Sequence, residues 1–212
     1  MAEDIWDKIV AGDKDAFDRL VEAEMANLLE AAKHEIAYYE SIGDYPPDFI
    51  TPEELVAEAM IRAWDNREKK PKGMEPRAWL YAMLFRAADA IAAQQREIQK
   101  HEALSLEQEL PDVPLVFDPV YDDDEEFYEW YQPDEALKWE DIIGSIDLKP
   151  DLLIEAVEEA PKRLEPKERR AALLYCRFGL SLEQTCRVLE EKPETVTRMV
   201  EKAKRKVLAA RK

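Results

Sequence analysis

Ser181-Leu182-Glu183-Gln184-Thr185-Cys186-Arg187-Val188-Leu189-Glu190-Glu191-Lys192-Pro193-Glu194-Thr195-Val196-Thr197-Arg198-Met199-Val200-Glu201-Lys202-Ala203-Lys204-Arg205-Lys206 is the stretch whose reading decides the fold. Ser181 followed three positions later by Gln184 has the form of a capping box, which opens a helix over Leu182–Leu189. Pro193 suits the first turn of a second helix, which the pattern carries to about Ala210. Two helices joined by a very short turn, with Lys202, Lys204, Arg205 and Lys206 on the second, form a helix-turn-helix pattern. Just upstream, Glu165-Pro166 starts a helix that points Ala172, Leu173, Leu174 and Tyr175 inward. Phe178-Gly179-Leu180 ends it, with Gly179 suited to a left-handed cap.

Toward the N-terminus the periodicity is again helical. Phe17, Leu20, Val21, Met25, Leu28, Leu29, Ala32, Ile36 and Tyr39 recur at helical spacing over Ala16–Ile42. Gly43-Asp44-Tyr45-Pro46-Pro47 breaks that helix. Thr51-Pro52-Glu53-Glu54 opens the next with a cap, a proline in the first turn and a capping-box glutamate. It places Leu55, Val56, Ala59, Met60, Ala63 and Trp64 on one side. A loop at Lys69–Gly73 leads to Glu75-Pro76 and a third helix, which carries Trp79, Leu80, Met83, Leu84 and Ala87 and an alanine-rich tail to about Lys100.

Between these parts the character changes. Residues 101–160 hold 2 basic and 20 acidic side chains, a balance of −18, whereas residues 161–212 hold 15 and 7, a balance of +8. Such asymmetry points to a nucleic-acid partner for the basic end. Residues 101–133 lack helical period and contain Pro111, Pro114, Pro119, Pro133 and the run Asp122-Asp123-Asp124-Glu125-Glu126, so they read as a linker. Phe117, Tyr121, Phe127, Tyr128, Trp130 and Tyr131 are interleaved with the acids. Short helices are expected at Ala136–Ile146 and Leu152–Val157. The expected fold is all-α: a helical domain over 1–100, an acidic aromatic linker over 101–133 and a helix-turn-helix domain over 134–212.

Composition excludes several classes. No run approaches the roughly 20 apolar residues of a membrane span, and the opening MAEDIWDKIV is acidic, unlike a secretory leader. Membrane insertion is not expected, and a cytoplasmic location is. Two cysteines cannot build a disulfide framework. Cys176 and Cys186 are ten apart with no Cys–His spacing for zinc, and His34 and His101 have no obvious partner, so no metal and no cofactor is expected. With 5 glycines, no glycine-rich phosphate loop and no nucleophile–base spacing, the chain is not expected to be an enzyme.

Certain motifs resemble those of extracytoplasmic-function sigma factors, the two-domain promoter-recognition subunits of bacterial RNA polymerase. Gly12-Asp13-Lys14-Asp15-Ala16-Phe17 is similar to the family's opening Gly-Asp-x-x-Ala-Phe. Pro52-Glu53-Glu54-Leu55-Val56-Ala57-Glu58-Ala59-Met60-Ile61-Arg62-Ala63-Trp64 resembles its polymerase-clamp helix, and Arg77-Ala78-Trp79-Leu80-Tyr81 its promoter-melting segment. The C-terminal likeness runs through Leu164–Arg169, Gly179–Gln184 and Glu194-Thr195-Val196. The departures are local. Asp89 falls one place early, the arginine run after Ala87 is mostly lost, Ala57 replaces the clamp-helix Gln, and Glu190 and Glu194 replace glycines. These bear on promoter sequence and DNA affinity rather than on fold.

The resemblance implies binding to core RNA polymerase and promoter DNA, with an anti-sigma factor as a further partner. Glu53, Glu54, Leu55, Glu58 and Arg62 would face the polymerase. Arg77, Trp79, Tyr81, Arg86 and Arg96 would capture unpaired bases by stacking and charge. In the last helix Thr195, Thr197 and Arg198 would reach base edges. Lys202, Lys204, Arg205 and Lys206 would contact phosphates, as would Arg169, Arg170 and Arg187 from the preceding helices.

Each assignment has a structural counterpart. Trp64 and Trp79 also sit at core spacing, basic residues late in a helix also complement its dipole, and Glu53, Glu54 and Glu58 also suit a solvated first turn. The acidic linker reads either as a spacer or as a nucleic-acid mimic that folds onto the basic domain and suppresses DNA binding, an attraction screened beyond about 8 Å at physiological salt. A sigma-like decoy, which binds an anti-sigma factor without promoter recognition, is the alternative function.

Overall fold

The computed structural model describes residues 2–102 and 164–210, with side chains over 5–100 and 164–206. The two short helices expected at Ala136–Ile146 and Leu152–Val157 lie outside the described residues. So does the acidic linker, save His101 and Glu102, which extend the preceding helix. Among the described residues the regular structure is all helical: α1 (Ala2–Val10), α2 (Lys14–Ile42), α3 (Pro52–Asp65), a short turn at Arg67–Lys69, α4 (Pro76–Glu102), α5 (Pro166–Ala172), α6 (Leu182–Leu189) and α7 (Pro193–Ala210).

Local chemistry sets the helix ends. Asp13 accepts from the Ala16 amide to open α2. Gly43, at φ 86°, closes it, because a left-handed end costs glycine no Cβ clash. Thr51 and Glu54 form the expected capping box with Pro52 in the first turn of α3. Ser181 caps α6 as expected, but Gln184 does not complete the box, since its amide is used elsewhere. Between α5 and Phe178 the chain passes through a π turn, Leu173–Arg177, in which the Phe178 amide donates to the Leu173 carbonyl at 2.9 Å.

The N-terminal helices enclose Leu28, Leu55, Trp79, Leu80 and Leu84, all almost fully buried. Trp79 Nε1 donates to the Ala63 carbonyl and the Tyr45 hydroxyl to the Ala88 carbonyl, so these amphipathic rings are buried with their polar atoms satisfied. Trp64 is half-buried, edge-on to Phe17 at 5.4 Å and beneath the Arg67 guanidinium at 4.6 Å. The C-terminal helices close over Leu173, Leu174, Leu182, Cys186, Val196 and Ala203. Burial raises the Cys186 thiol to about 12, which leaves it a small core residue. No described helix is long and apolar enough to cross a membrane, and no described cluster of His, Cys, Asp and Glu could hold a metal ion.

Candidate nucleic-acid interface

The expected helix-turn-helix is present as α6 and α7. Its turn is made by Glu190, at φ 56°, where a glycine would sit without strain. Glu190 also accepts an ion pair from Arg86 of α4 at 3.0 Å, so the residue that turns the motif also ties it to the N-terminal helices.

That tie is one of many. Arg169 and Arg170, adjacent on α5, enter a polar cluster on α2 and α4 in which Glu35 is buried and Asp89 is half-exposed. Arg169 Nη2 lies 2.8 Å from Glu35 Oε1, with both side chains fully buried. Its guanidinium covers the Tyr38 ring at 4.5 Å, and its Nη1 donates to the His34 carbonyl at 3.1 Å. Arg170 Nη2 reaches Glu35 Oε2 at 2.8 Å and Asp89 Oδ1 at 2.5 Å, and Nη1 reaches Asp89 Oδ2 at 3.0 Å. Tyr39 donates its hydroxyl proton to Asp89. Partial desolvation of the half-exposed Asp89 carboxyl would raise it, but the hydrogen bonds and charge of Arg170 prevail and hold it below its ordinary value. Burial would weaken the Arg170 cation, yet Glu35 and Asp89 hold it protonated. Glu35 thus faces two guanidinium groups, and the two-pronged fork that arginine favours is the one Arg170 makes on Asp89.

Further along, Arg177 Nε pairs with Glu30 at 2.6 Å, and Arg77 Nη2 donates to the Phe178 carbonyl at 2.6 Å while Nε pairs with Glu24 at 2.8 Å. Tyr81 stacks on Phe178 with centroids 5.2 Å apart. Gln184 is the clasp for the loop before α4: it donates to the Gly73 carbonyl at 3.1 Å and accepts from the Glu75 amide at 2.9 Å. Arg187 donates to the Lys72 carbonyl, and its guanidinium lies so close over Gly73 that a Cβ there would meet Nη2 at 3.0 Å.

The expected site residues divide accordingly. Arg169 and Arg170 do not offer themselves to phosphates as expected; they are buried ion-paired groups. Trp79 and Tyr81 are 1% and 0% exposed and do not present a ring to a flipped base in this arrangement. Arg77, Arg86 and Arg187 are taken up in the contacts above, and Arg96 lies 3.8 Å from Asp44. On α7, Lys202 and Lys206 meet the buried Glu168 of α5 at 2.5 and 2.7 Å instead of projecting freely. Burial of Glu168 opposes ionisation, but these two lysines lower its pKa below the usual value. Arg205 is 72% exposed with Glu201 3.7 Å away, and Lys204 has no ion pair among the described residues.

Thr195 and Arg198 line a groove of about 570 Å³ between α7 and the ends of α2 and α4. Tyr38, Ile42, Asp44 and Arg96 form its far wall. Arg198 is exposed and makes no hydrogen bond or ion pair among the described residues, whereas Thr197 is half-buried and does not line the groove.

On α3, Glu53 and Glu54 are exposed, and Glu58 holds Arg62 at 2.8 Å. Leu55 does not face outward as expected: it is fully buried in the N-terminal core. Its place on the outer face is taken by Ile61, 58% exposed, which the sequence reading passed over. The helical period gives its signal, since 54, 58 and 61 share one face.

Residues 42–97 match the family model of sigma-70 region 2, a span that takes in α3 and nearly all of α4. The chain is also similar to a solved structure, the sigma factor RpoE in complex with the anti-sigma factor NepR from Bartonella quintana, at 19% identity over 88% of this chain and 92% of that one, with a TM-score of 0.46. At that score the likeness bears no functional weight. No curated protein matches the sequence. The motifs at Pro52–Trp64 and Arg77–Tyr81 thus fall inside the segment that matches sigma-70 region 2.

Proposed function

We propose that the chain is a promoter-recognition subunit of the extracytoplasmic-function type, which binds core RNA polymerase through region 2 and reads an upstream promoter element with α7. The observation that carries this reading is the sigma-70 region 2 match on α3 and α4, followed in the same chain by a helix-turn-helix with a basic second helix. The outer strip of α3, Glu53, Glu54, Glu58, Ile61 and Arg62, offers a mixed polar and apolar face to the polymerase. A protein interface of this kind combines an apolar centre with a polar rim. The start of α7 supplies Thr195, Thr197 and Arg198 for base edges, and its later turns supply Lys204 and Arg205 for phosphates. The contribution of the acidic segment is a charge argument alone: a balance of −18 beside one of +8 favours contact with the C-terminal helices at low salt. Deleting residues 112–131 would then tighten DNA binding at low salt.

A second reading is a sigma-like decoy that captures an anti-sigma factor. The pairing of Arg169, Arg170, Lys202 and Lys206 with carboxylates favours it, because those cations are not free for phosphates. Run-off transcription with core polymerase on a promoter library separates the two. Transcripts from a defined start support the sigma factor. Their absence, with tight binding to an anti-sigma protein, supports the decoy.

A further inference from the structure

Resting on the promoter-binding reading and deepening it, we propose that Glu194 and Arg198 are the specificity-determining pair of α7, with Glu194 accepting from the amino group of a cytosine and Arg198 donating to a guanine in the major groove. Position on the helix selects them. Val196, Val200 and Ala203 bury the inner face of α7. Glu194, Arg198 and Arg205 are exposed, and the helical period brings them into one row on the opposite face. A recognition helix reads with the side chains near its start. There Thr195 and Thr197 are half-buried, whereas Glu194 and Arg198 are exposed. Neither of these two makes a hydrogen bond or ion pair among the described residues, so an acceptor and a fork of donors stand side by side with nothing in the fold to use them.

Donor and acceptor chemistry then fixes the bases. An ionised glutamate only accepts, and an arginine only donates. The base-edge donors of the major groove are the amino groups of cytosine and adenine. Adenine sets its N7 acceptor beside the amino group, and that lone pair repels a carboxylate, so cytosine is the match for Glu194. Guanine sets two acceptors, O6 and N7, side by side and takes the arginine fork. Four residues of helix rise about 6 Å, against about 3.4 Å per base pair, so the two bases lie about two base-pair steps apart. A carboxylate on this face also repels phosphates, so Glu194 disfavours every duplex that does not offer it a donor. In the first turn of α7 it complements the helix dipole as well, but that role affects stability and carries no base preference.

The test uses the full chain bound to core polymerase, the state in which the proposed function reads DNA, with a library of random-sequence duplexes as probe at one fixed salt concentration. The sequences retained by the parent, by Glu194→Gln and by Arg198→Gln are compared position by position. Glutamine both donates and accepts and suits adenine. Glu194→Gln is therefore expected to convert one cytosine of the site to adenine, and Arg198→Gln to convert one guanine, about two steps away, to adenine. Putting the parent's base back should weaken the matching variant by about 5- to 150-fold, the worth of one good base contact. Arg198→Lys, which still donates to guanine, should keep the guanine. Both side chains are exposed, so helical circular dichroism should not change. If either glutamine variant keeps the parent's base at every position, the pair is overturned while the promoter-binding reading stands. If the parent itself retains no defined sequence, the promoter-binding reading falls and this inference falls with it.

Discussion

The outer face of α3 and the reading end of α7 stand in opposite conditions. On α3, Glu53, Glu54 and Ile61 are open to solvent, with the i,i+4 pair of Glu58 and Arg62 beside them. On α7, Thr195 and Arg198 line a groove whose far wall is the ends of α2 and α4, and two of the four basic residues that follow are held by Glu168. Both helices have well-formed ends and well-buried inner faces, so the difference does not come from folding. It comes from what lies against the outer face. The surface proposed for the polymerase is open in this arrangement, whereas the surface proposed for DNA is open only in part, with Arg198 and Arg205 exposed and Lys202 and Lys206 held.

Substitutions break or sharpen this contrast to different degrees. The largest loss is expected from Trp79→Ala, because the ring is fully buried and its deletion leaves a cavity; a cost of about 3–5 kcal/mol should register in urea unfolding. A Trp79 that served as an open stacking platform would show almost no loss. Arg170→Leu comes next. It leaves Glu35 and Asp89 short of a partner across the junction, and about 3–5 kcal/mol of closed-state stability is expected to go, measured as raised hydrogen exchange at the facing turns of α2 and α5 with exchange in the core of α4 unchanged. Thr51→Ala removes the N-cap of α3 at a cost of about 1 kcal/mol, visible as a lower unfolding midpoint without opening of the junction. Ile61→Ser should leave stability unchanged within about 0.5 kcal/mol yet weaken capture of core polymerase.

Acidity probes the same contrast by titration. The Asp89 carboxyl, set among Tyr39, Glu35, Arg169 and Arg170, lies below its ordinary value of 3.8. A carboxylate with a depressed pKa stabilises the closed state above its ordinary value and ceases to do so as the pH falls through its depressed one. The junction should therefore be steady from neutral pH down to about 4 and loosen below it, as followed by scattering. Loosening between pH 7 and 5 would point to a different group.

Much of this was legible in the sequence, and the reasons are local. Thr51, Gly43, Gly179 and Pro193 mark helix ends because caps act within a few residues, so these four helix boundaries could be read directly from residue types. The π turn at Leu173–Arg177 could not, because apolar spacing there fits an ordinary helix equally well. The fate of Arg169 and Arg170 was hidden for another reason: their partner Glu35 lies 134 and 135 positions away, and an arginine pair on a helix looks the same whether it meets phosphate or carboxylate. One sign was present. Glu35 falls on the buried stripe with Leu28, Ala32 and Tyr39, and an acid on a core stripe requires a buried partner.

The most direct test of the central claim, that the C-terminal helices are held on α2 and α4, is energy transfer in the free chain between dyes placed at Lys33 on α2 and Lys192 before α7, both exposed. The account predicts one narrow, high-transfer population in the free chain, because Glu35, Asp89 and Tyr81 hold Arg169, Arg170 and Phe178 across the junction. A broad low-transfer distribution in the free chain would contradict it.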